Sequence, residues 1–470
     1  MLKSGLDKDL QSIAHENYQF KNWAKTFQCR PELLFTPQTE QQVVKVVELA
    51  KQSNKRIKVF GSGHSPSDLA CTTDFLVNID NMNRLLSVNQ DQCTISVQAG
   101  MSLHKLHVVL KENNMALSNL GSISDQSIAG VMATASHGTG AHFGCMSTFI
   151  INLTMVTADG KIVHCSAIEN PDLFMAAKCS LGCLGIVTQM TLKAEPSFRL
   201  EAIQKPYKFP EVLDNWDATI HSAEHVRVWW YPHTDDCVVW RSNRTEKPAT
   251  TTIQTMTNAA TTWWYERALG FHIYQGLLNM TRFQPNVIPS LTQFMFNKVH
   301  SRPVHVIDDA HKIFNFDCLF PQYVNEWAIA WDDAPAVLRK LEAYISKHNL
   351  KVHFPVEIRF VDEDDIWLSP AYGRKTCYIG VIMYRPYGNP VPYKKYWKGY
   401  EDIMRQYGGR PHWAKAHGQT QQDLRQSYPK FDNFLDVRQQ VDPHGMFLND
   451  YLERHIVDPQ RKSGQILSKL

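Results

Sequence analysis

The 470-residue chain contains no apolar run approaching the eighteen or so residues that cross a bilayer. Its first twenty residues, MLKSGLDKDLQSIAHENYQF, lack the apolar core of a secretory signal, so we expect an intracellular protein. No block of like charge occurs, and 49 basic against 46 acidic residues give a net charge of only +3. This balance argues against a dedicated nucleic-acid binder.

The ten cysteines include no CxxC pair, and Cys179 and Cys183 have no second pair with which to close a zinc site. We therefore predict reduced, mostly buried thiols. Repeats and low-complexity linkers are also absent, and 43% hydrophobic with 20% charged residues excludes a disordered or collagen-like chain. The length corresponds to about three domains, or two large ones.

Hydrophobic periodicity divides the chain near Pro196. Before this point, helical spacing at 37–50 alternates with β-rich pieces, and Asp159-Gly160 marks a hairpin, which together predict an α+β domain. From about 200 to 400, longer and more aromatic strands such as CYIGVIMYR predict a second domain built on a large sheet.

Residues 248–300 are semi-apolar and have helical spacing. Two interpretations are open: helices that cover the large sheet, or a segment that lies on a membrane surface. We favour the first because Asn, Thr and Gln interrupt every apolar run.

The segment VFGSGHSPSD predicts a strand that runs into Gly61-Ser62-Gly63, where backbone N–H groups in a tight turn can hold phosphates. It is not a Rossmann fingerprint, because Pro66 stands where the third glycine belongs, and it lacks the Gly-Lys-Ser/Thr of a Walker loop. Taken alone it fits a plain turn as well. His64 is either a surface histidine or one held against a cofactor.

The run NLGSISDQSIAGVMATASHGTGAHFG, residues 119–144, is rich in Gly, Ser and Thr and poor in bulk. A core packed from Leu and Val would not leave such a run unfilled, whereas a nucleotide cofactor needs close backbone approach and hydroxyl donors. His137 and His142 are five residues apart, which suits no helical metal face, so we predict no metal site.

Two further segments carry charged groups. On the strand VEIRF, alternation sends Glu357 and Arg359 to one face, where the plain alternative is a surface ion pair worth about 0–1 kcal/mol. GGRPHWAKAH places His412, Lys415 and His417 close together, where the plain alternative is a loop with snorkelling basic side chains.

Together these four segments resemble, in their residues and in their order along the chain, the aldonolactone oxidases of the vanillyl-alcohol-oxidase-type flavoproteins. The resemblance covers nearly the whole chain. The ending DPHGMFLNDYLE is similar to that of fungal D-arabinono-1,4-lactone oxidases and animal L-gulonolactone oxidases. The resemblance implies an α+β fold with a two-subdomain FAD-binding unit of the PCMH type and a cap with a large antiparallel sheet and covering helices. The implied boundaries are 1–29 for an N-terminal extension, 30–196 for the FAD-binding domain, 197–405 for the cap and 406–470 for a segment that returns to the flavin.

The resemblance also implies FAD as the cofactor, bonded covalently through His64 to the flavin 8α-methyl. Such a link would raise the flavin potential and retain the cofactor. The other implied FAD contacts are Gly61, Ser62, Gly63, Ser65, Gly121, Ser122, Ser127, Gly130, Thr134, His137, the backbone of Ile186, His412 and His417.

The catalytic residues that the resemblance implies are Glu357, Arg359 and Lys415, with Ser122 beside the substrate. Arg359 would stabilise negative charge that develops on the flavin, Glu357 would hold sugar hydroxyls, and Lys415 would contact substrate or flavin. The group that removes the hydroxyl proton stays open. Its candidates are Glu357, His412, Lys415 and His417.

Gly121 stands where plant dehydrogenase relatives carry an alanine that blocks oxygen, so the resemblance implies oxygen as acceptor and hydrogen peroxide as product. The expected activity is oxidation of an aldono-1,4-lactone, first of all D-arabinono-1,4-lactone, to a ketone that enolises to ascorbate or its five-carbon analogue. Three alternatives remain: an alditol or saccharide oxidase, a dehydrogenase that uses cytochrome c or quinone, and a flavoprotein kept as a scaffold.

The expected partners are the small lactone and molecular oxygen, without nucleic acid. Relatives lie on the mitochondrial outer membrane or the endoplasmic reticulum, so peripheral membrane association is a hypothesis beside a cytoplasmic location. Residues 248–300 are more polar than a firm anchor.

Overall fold

A computed structural model describes residues 3–250, 270–315 and 321–457. These residues form sheets of four, five and eight strands and two short two-stranded ribbons. In chain order the strands are β1 Ala14–His15, β2 Phe20–Lys21, β3 Gln28–Cys29, β4 Leu33–Phe35, β5 Ile57–Phe60, β6 Phe75–Asn78, β7 Leu85–Asn89, β8 Thr94–Gln98, β9 Met115–Ala116, β10 Ile150–Val156, β11 Ile162–Ser166, β12 Ile186–Lys193, β13 Glu195–Pro196, β14 Arg199–Lys208, β15 His225–Trp230, β16 Asp236–Thr245, β17 Val304–Asp309, β18 Gln322–Ala330, β19 Val356–Val361, β20 Thr376–Tyr384 and β21 Arg410–Pro411.

The α-helices lie between and around these strands. They are α1 Lys8–Ile13, α2 Glu40–Gln52, α3 Leu103–Glu112, α4 Ile128–Ala133, α5 Pro171–Ala177, α6 Phe209–Asp214, α7 Trp216–Ile220, α8 Gly270–Thr281, α9 Ile288–Met295, α10 Ala310–Phe314, α11 Ala334–Lys347, α12 Lys394–Gln406, α13 Gln421–Ser427, α14 Phe431–Val441 and α15 Asp450–Leu452. Short 3-10 turns occupy Lys3–Gly5, Met146–Phe149, Pro285–Val287, Trp331–Asp333 and Pro386–Gly388, and π-helical turns occupy Phe296–His300 and Glu453–Val457.

The four-stranded sheet has the order β1-β4-β6-β5, in which β4, β6 and β5 are parallel. Helix α2 covers it with Val43, Val46 and Val47, which recur at helical spacing and are fully buried. The helix begins at Glu40 because the Thr39 side chain accepts a hydrogen bond from the Gln42 N–H. Strand β5 then runs directly into residue 61, as the sequence predicted.

The five-stranded sheet is antiparallel, in the order β11-β10-β12-β8-β7. Its β10–β11 hairpin turns at Asp159-Gly160, where Gly160 has a φ of +85°, and the predicted hairpin is confirmed. One hydrophobic core joins this sheet to the first one and includes Phe431, Phe434 and Phe447 from the end of the chain. The last segment therefore packs on the same body as the first 196 residues.

The eight-stranded sheet is antiparallel, in the order β17-β14-β16-β15-β19-β20-β18-β21, and confirms the predicted large sheet of the second region. Helices α6, α7, α11 and α12 cover one face around Trp230 and Trp327. On the opposite face, α8 and α9 pack through Leu278 and Leu291 against Val238. The interpretation of 248–300 as sheet-covering helices is thus confirmed for residues 270–300, while 251–269 lie outside the described residues.

Nine of the ten cysteines fall in the described part of the chain, and all nine are free thiols, six of them buried. Within this part of the chain, no helix combines the length and the apolar character needed to cross a membrane.

Candidate active site

A cleft of about 970 Å³ opens between the two smaller sheets and the α8/α9 side of the large sheet. Its volume lies at the upper end of the range for small-molecule and cofactor pockets. The predicted site residues that line it are Gly61, Ser62, Gly63, His64, Ser65, Gly121, Ser122, Ser127, Gly130, Thr134, His137, Ile186, Glu357, Arg359, His412 and Lys415. The structure therefore brings together segments that are up to 354 residues apart in sequence, from Gly61 to Lys415.

The loop after β5 is held open toward the cleft. The Gly63 carbonyl accepts a hydrogen bond from the Trp23 N–H at 2.9 Å, and the Ser65 carbonyl accepts one from Asn22 Nδ2 at 3.0 Å. Among the described residues, the N–H groups of 62–65 have no hydrogen-bond acceptor. Gly63 has a φ of +66°, which gives the turn the shape of an anion-binding nest.

Gly61 lets two glycine-rich loops meet. A Cβ atom at this position would lie 1.9 Å from Ser127 Oγ and 2.6 Å from Ser127 Cβ, so only glycine fits. Ser127 precedes α4 and belongs to the second small-residue run of the sequence. Both runs contain few large side chains because their backbones pack closely against each other and together line one side of the cleft.

His64 is half-buried, and its ring stacks on the Trp23 indole with centroids 5.8 Å apart and planes 19° apart. Its Nδ1 atom is buried and has no hydrogen-bond partner among the described residues. Burial lowers the pKa of His64, so the imidazole is neutral near pH 7. A neutral, unpaired ring nitrogen is the state in which histidine acts as a nucleophile.

The charged end of the cleft is built on four neighbouring strands. Trp229, Glu357, Gly380 and Glu326 are paired in register across β15, β19, β20 and β18, so they form one row on the cleft side of the sheet. The next row contains Arg227, Arg359 and Tyr378. A row that carries two carboxylates therefore lies beside a row that carries two guanidinium groups.

The Arg359 guanidinium joins the large sheet to the glycine-rich loops. Its Nη2 lies 2.9 Å from Glu326 Oε1 and 3.4 Å from Glu357 Oε2, and its Nη1 donates at 3.4 Å to Ser122 Oγ and to the His137 carbonyl. Burial opposes the charge of Arg359, but Glu357 and Glu326 outweigh this effect and raise its pKa. Arg359 is thus a fixed cation at this end of the cleft.

Glu326 is a site residue that the motif analysis missed. Burial would raise its pKa, but Arg359, His137 and Lys415 hold the pKa well below its usual range. His137 Nε2 faces Glu326 Oε1 at 3.4 Å, and Lys415 Nζ lies 3.8 Å from Glu326 Oε2. The available signal was the strand QYVNEWAIAW, in which one carboxylate stands among residues that read as a buried strand.

Three other residues of the charged end were also missed: Arg227, Trp229 and Tyr378. Glu357 Oε1 lies 3.5 Å from Arg227 Nε and accepts a hydrogen bond from Trp229 Nε1 at 3.5 Å. The Tyr378 ring stacks on His137 at a centroid distance of 3.5 Å. HVRVWWYP and CYIGVIMYR, which contain these residues, predicted strands but gave no sign of their neighbours.

The two predicted histidines near Lys415 have different positions. His412 lines the cleft, its Nδ1 accepts a hydrogen bond from the Ala414 N–H at 3.1 Å, and burial lowers its pKa well below the usual value. His417 does not line the cleft. It is buried against the end of the chain, with Nε2 3.2 Å from the Tyr451 hydroxyl and its ring 4.2 Å from that of His455. The chain turns into the core between 415 and 417, so His417 is not placed to contact a cofactor in the cleft or to act there as a base, contrary to the prediction.

His137, Glu326 and His412 place three ligand atoms within 4.8 Å of one another. The carboxylate of this trio is already paired with the Arg359 guanidinium and faces the Lys415 ammonium. A metal ion would compete there with two fixed cations, so we do not propose a metal site.

The fold is similar to that of solved cholesterol oxidases. It is similar to the crystal structure of cholesterol oxidase from Brevibacterium sterolicum, with a TM-score of 0.77 at 16% identity, covering 97% of this chain and 99% of that one. A solvent-stable cholesterol oxidase gives a TM-score of 0.71 at 18% identity, covering 93% and 96%. A model of FAD-binding domains matches residues 31–166. The chain is therefore a flavoprotein with the predicted two-part FAD-binding fold and cap.

The particular family follows from the remainder of the chain, since the D-arabinono-1,4-lactone oxidase model matches residues 190–455. L-gulonolactone oxidase of Scyliorhinus torazame is 42% identical, covering 93% of this chain and 98% of that protein, and that of Mus musculus is 40% identical, covering 94% and 98%. D-arabinono-1,4-lactone oxidase of Candida glabrata is 32% identical, covering 94% and 97%. The chain belongs to the aldonolactone oxidase family.

Proposed function

We propose that the protein is an FAD-dependent oxidase of aldono-1,4-lactones that passes electrons to oxygen and forms hydrogen peroxide. The observation that carries this proposal is the grouping of Ser122, Glu357, Arg359 and Lys415 at one end of a cleft whose other walls are the two glycine-rich loops. D-Arabinono-1,4-lactone is the predicted substrate. L-Gulono-1,4-lactone is the second candidate, because identity to the L-gulonolactone oxidases is higher, 40–42% against 30–34% for the fungal proteins.

The cleft fits FAD in two respects. The free N–H groups of 62–65 suit a pyrophosphate. The absence of a side chain at Gly61 lets the backbone of this loop lie close to Ser127. The unpaired Nδ1 of His64 supports the proposed covalent bond to the flavin. FAD would supply the two-electron acceptor, which no side chain of the protein provides.

The side chains at the charged end would bind and orient the lactone. Glu357 is 20% exposed at its side chain and can accept hydrogen bonds from sugar hydroxyls. Arg359 places a permanent cation beside Ser122, where it would stabilise negative charge that develops during oxidation. We propose that these groups, together with Lys415, fix the 2-hydroxyl carbon toward the flavin.

The proton of the 2-hydroxyl needs an acceptor at the cleft. Of the four predicted candidates, His417 does not line the cleft, and His412 has a strongly lowered pKa and an Nδ1 that already accepts the Ala414 N–H. Lys415 faces Glu326 as an ammonium, which has no lone pair to accept a proton. Glu357 is therefore the remaining candidate, and it lines the cleft.

The test is to mix the FAD-loaded protein anaerobically with D-arabinono-, L-gulono- and L-galactono-1,4-lactone, and with xylitol and cello-oligosaccharides as controls. We expect the lactones alone to bleach the visible flavin absorbance. Admission of air should restore the colour rapidly with stoichiometric peroxide. Bleaching only by xylitol or oligosaccharides would favour the alternative oxidases, and slow reoxidation with fast electron transfer to cytochrome c would favour a dehydrogenase.

We propose peripheral association with a membrane surface through residues 270–300. In this segment Met280, Phe283 and Phe294 are 66%, 75% and 53% exposed, and Arg282 and Lys298 are nearby in sequence. Exposed apolar side chains flanked by basic ones are typical of surfaces that bind lipid headgroups and the acyl boundary. The mitochondrial outer membrane and the endoplasmic reticulum are the candidate compartments.

We also propose the boundaries 30–196, 197–405 and 406–470 for the FAD-binding domain, the cap and the returning segment. Residues 3–29 are better grouped with the FAD-binding domain than treated as an extension, because β1 pairs with β4 and Leu10 and Ile13 lie in the first core.

A further inference from the structure

Glu326 is the more enclosed of the two carboxylates at the charged end of the cleft. Its side chain is 4% exposed, against 20% for Glu357 and 10% for Arg359. Basic groups reach it from three separate parts of the chain: Arg359 from β19, His137 from the second glycine-rich run and Lys415 from the segment after β21. This carboxylate is therefore the point at which the FAD-binding domain, the cap and the returning segment meet electrostatically.

The sheet register explains how Glu326 reaches its partners. Gly380 lies between Glu326 and Glu357 in the same row. A Cβ at residue 380 would come within 3.6 Å of Glu326 Oε1, so the carboxylate extends directly over the glycine toward Arg359. The Arg359 Nη2 consequently lies between two carboxylates, at 2.9 Å from Glu326 and 3.4 Å from Glu357.

The two carboxylates differ in what they can do. Glu357 has more open surface, so a ligand hydroxyl can reach it. Glu326 is nearly enclosed, and its carboxylate contacts the cationic groups of Arg359 and Lys415. Because its pKa is strongly lowered, it is a poor proton acceptor. A buried carboxylate of this kind stabilises the arrangement of its cations, because removal of one partner leaves the others without a counterion.

We propose that Glu326 is a positioning residue of the reaction: it holds the Arg359 guanidinium and the Lys415 ammonium at the end of the cleft and limits the positive charge there. This inference rests on the proposed oxidase function. Arg227, Arg359 and Lys415 lie around the carboxylates of Glu326 and Glu357. Loss of the Glu326 charge would make this end of the cleft more positive by one charge.

Glu326→Gln in the FAD-loaded protein tests the charge. We expect a higher flavin reduction potential than in the parent, because loss of one negative charge favours the reduced, more negative flavin. With D-arabinono-1,4-lactone we expect kcat to fall about 100-fold, because Arg359 loses its fixed orientation. KM should change by less than about threefold, since the Glu326 side chain is only 4% exposed and offers little surface to a substrate.

Glu326→Asp tests the position. It retains the charge on a side chain that is shorter by one methylene, so the potential should equal that of the parent while kcat falls. Glu401→Gln is the matched control. Glu401 is buried on α12, accepts a hydrogen bond from Asn325 Nδ2 at 2.9 Å and does not line the cleft. Its loss should lower thermal stability and leave both potential and kcat unchanged.

An unchanged potential and kcat in Glu326→Gln would overturn the inference. If Glu326→Gln does not fold, Glu326→Asp decides, because a parent-like kcat in that variant would show that the carboxylate does not position Arg359. If no aldonolactone reduces the flavin of the parent, the proposed function fails. The comparison of potentials would then still decide the role of Glu326.

Discussion

The imidazole of His64 stacks on the indole of Trp23, with ring centroids 5.8 Å apart. Its Nδ1 atom is buried and has no hydrogen-bond partner among the described residues. The Trp23 N–H also holds the Gly63 carbonyl at 2.9 Å. One residue from outside the glycine-rich loop thus fixes both the loop backbone and the ring that it presents.

His64→Ala should abolish covalent retention of the cofactor. After acid precipitation of the FAD-reconstituted protein, we expect a yellow pellet from the parent and a colourless one from the variant, because the nucleophilic nitrogen is gone. His104→Ala, a change at a surface histidine that is 66% exposed, is the control and should stay yellow. A yellow pellet from His64→Ala would show that another residue carries the flavin.

Gly61→Ala should impair FAD binding and stability, because its Cβ would lie 1.9 Å from Ser127 Oγ. We expect a loss of about 1–3 kcal/mol in the free energy of unfolding, measured by denaturant titration. The double variant Gly61→Ala/Ser127→Gly removes the clashing atoms and should recover most of this loss. Gly5→Ala, where nothing lies within 4 Å, should be neutral. Equal effects at both glycines would contradict the steric argument.

Gly121→Ala should slow the reaction with oxygen and spare the reaction with lactone. A Cβ here would meet only the His137 carbonyl, at an ordinary 3.6 Å, so folding should not suffer. We expect reoxidation of the reduced flavin in air to slow at least about tenfold, equivalent to about 1.4 kcal/mol of barrier. Stopped-flow absorbance measures both half-reactions. Parent-like reoxidation would mean that Gly121 does not control oxygen access.

The pH dependence of stability should carry a signature of Asp364. This residue lies in the loop between β19 and β20, and burial raises the pKa of its carboxyl to about 6 from 3.8. The folded state therefore binds the proton more tightly than the unfolded state, and the resulting stabilisation is complete below pH about 4 and is lost as pH rises through about 6.

Asp364→Asn removes that titration. Relative to the variant, the parent should lose about 2 kcal/mol of unfolding free energy between pH 4 and pH 6.5, as measured by denaturant titration at each pH. Asp365→Asn, a change at the exposed neighbouring residue, should show the pH profile of the parent. Parallel profiles for parent and Asp364→Asn would exclude a raised pKa.

Membrane association should depend on the exposed aromatic residues of 270–300. Phe283→Ser/Phe294→Ser should weaken co-sedimentation with anionic phospholipid vesicles at least about tenfold, because each phenyl ring contributes roughly 1.5–3 kcal/mol when buried. Ile168→Ser is the matched control, since Ile168 is 96% exposed on the FAD-binding domain. A parent protein that stays in the supernatant would exclude the proposed association.

The parts of the site that sequence analysis predicted are continuous in sequence. The Gly61–Ser65 loop follows its strand directly, and Glu357 and Arg359 share a face because side chains alternate along a strand. Glu326 could not be predicted as a site residue, because its proximity to Arg359 depends on the order of the strands in the sheet. Proximity in sequence also misled at His417, which is two residues from Lys415 but faces the core.

Strand order itself could not be predicted. Arg227 and Arg359 are direct partners across β15 and β19, although 132 residues separate them. The register that aligns Glu357, Gly380 and Glu326 results from the packing of the covering helices and both faces of the sheet, which no local pattern encodes.

The rows of the large sheet separate two kinds of position for protein engineering. The row that follows Glu326 and Gly380 contains Val324 and Ile382, which are paired in register and also line the cleft. Neither side chain carries a charge, so a combinatorial library at these two sites can reshape the pocket for bulkier or smaller sugar rings while the ionic framework stays intact. The same architecture would let substrate scope diverge among descendants of one ancestral enzyme without rebuilding its electrostatics.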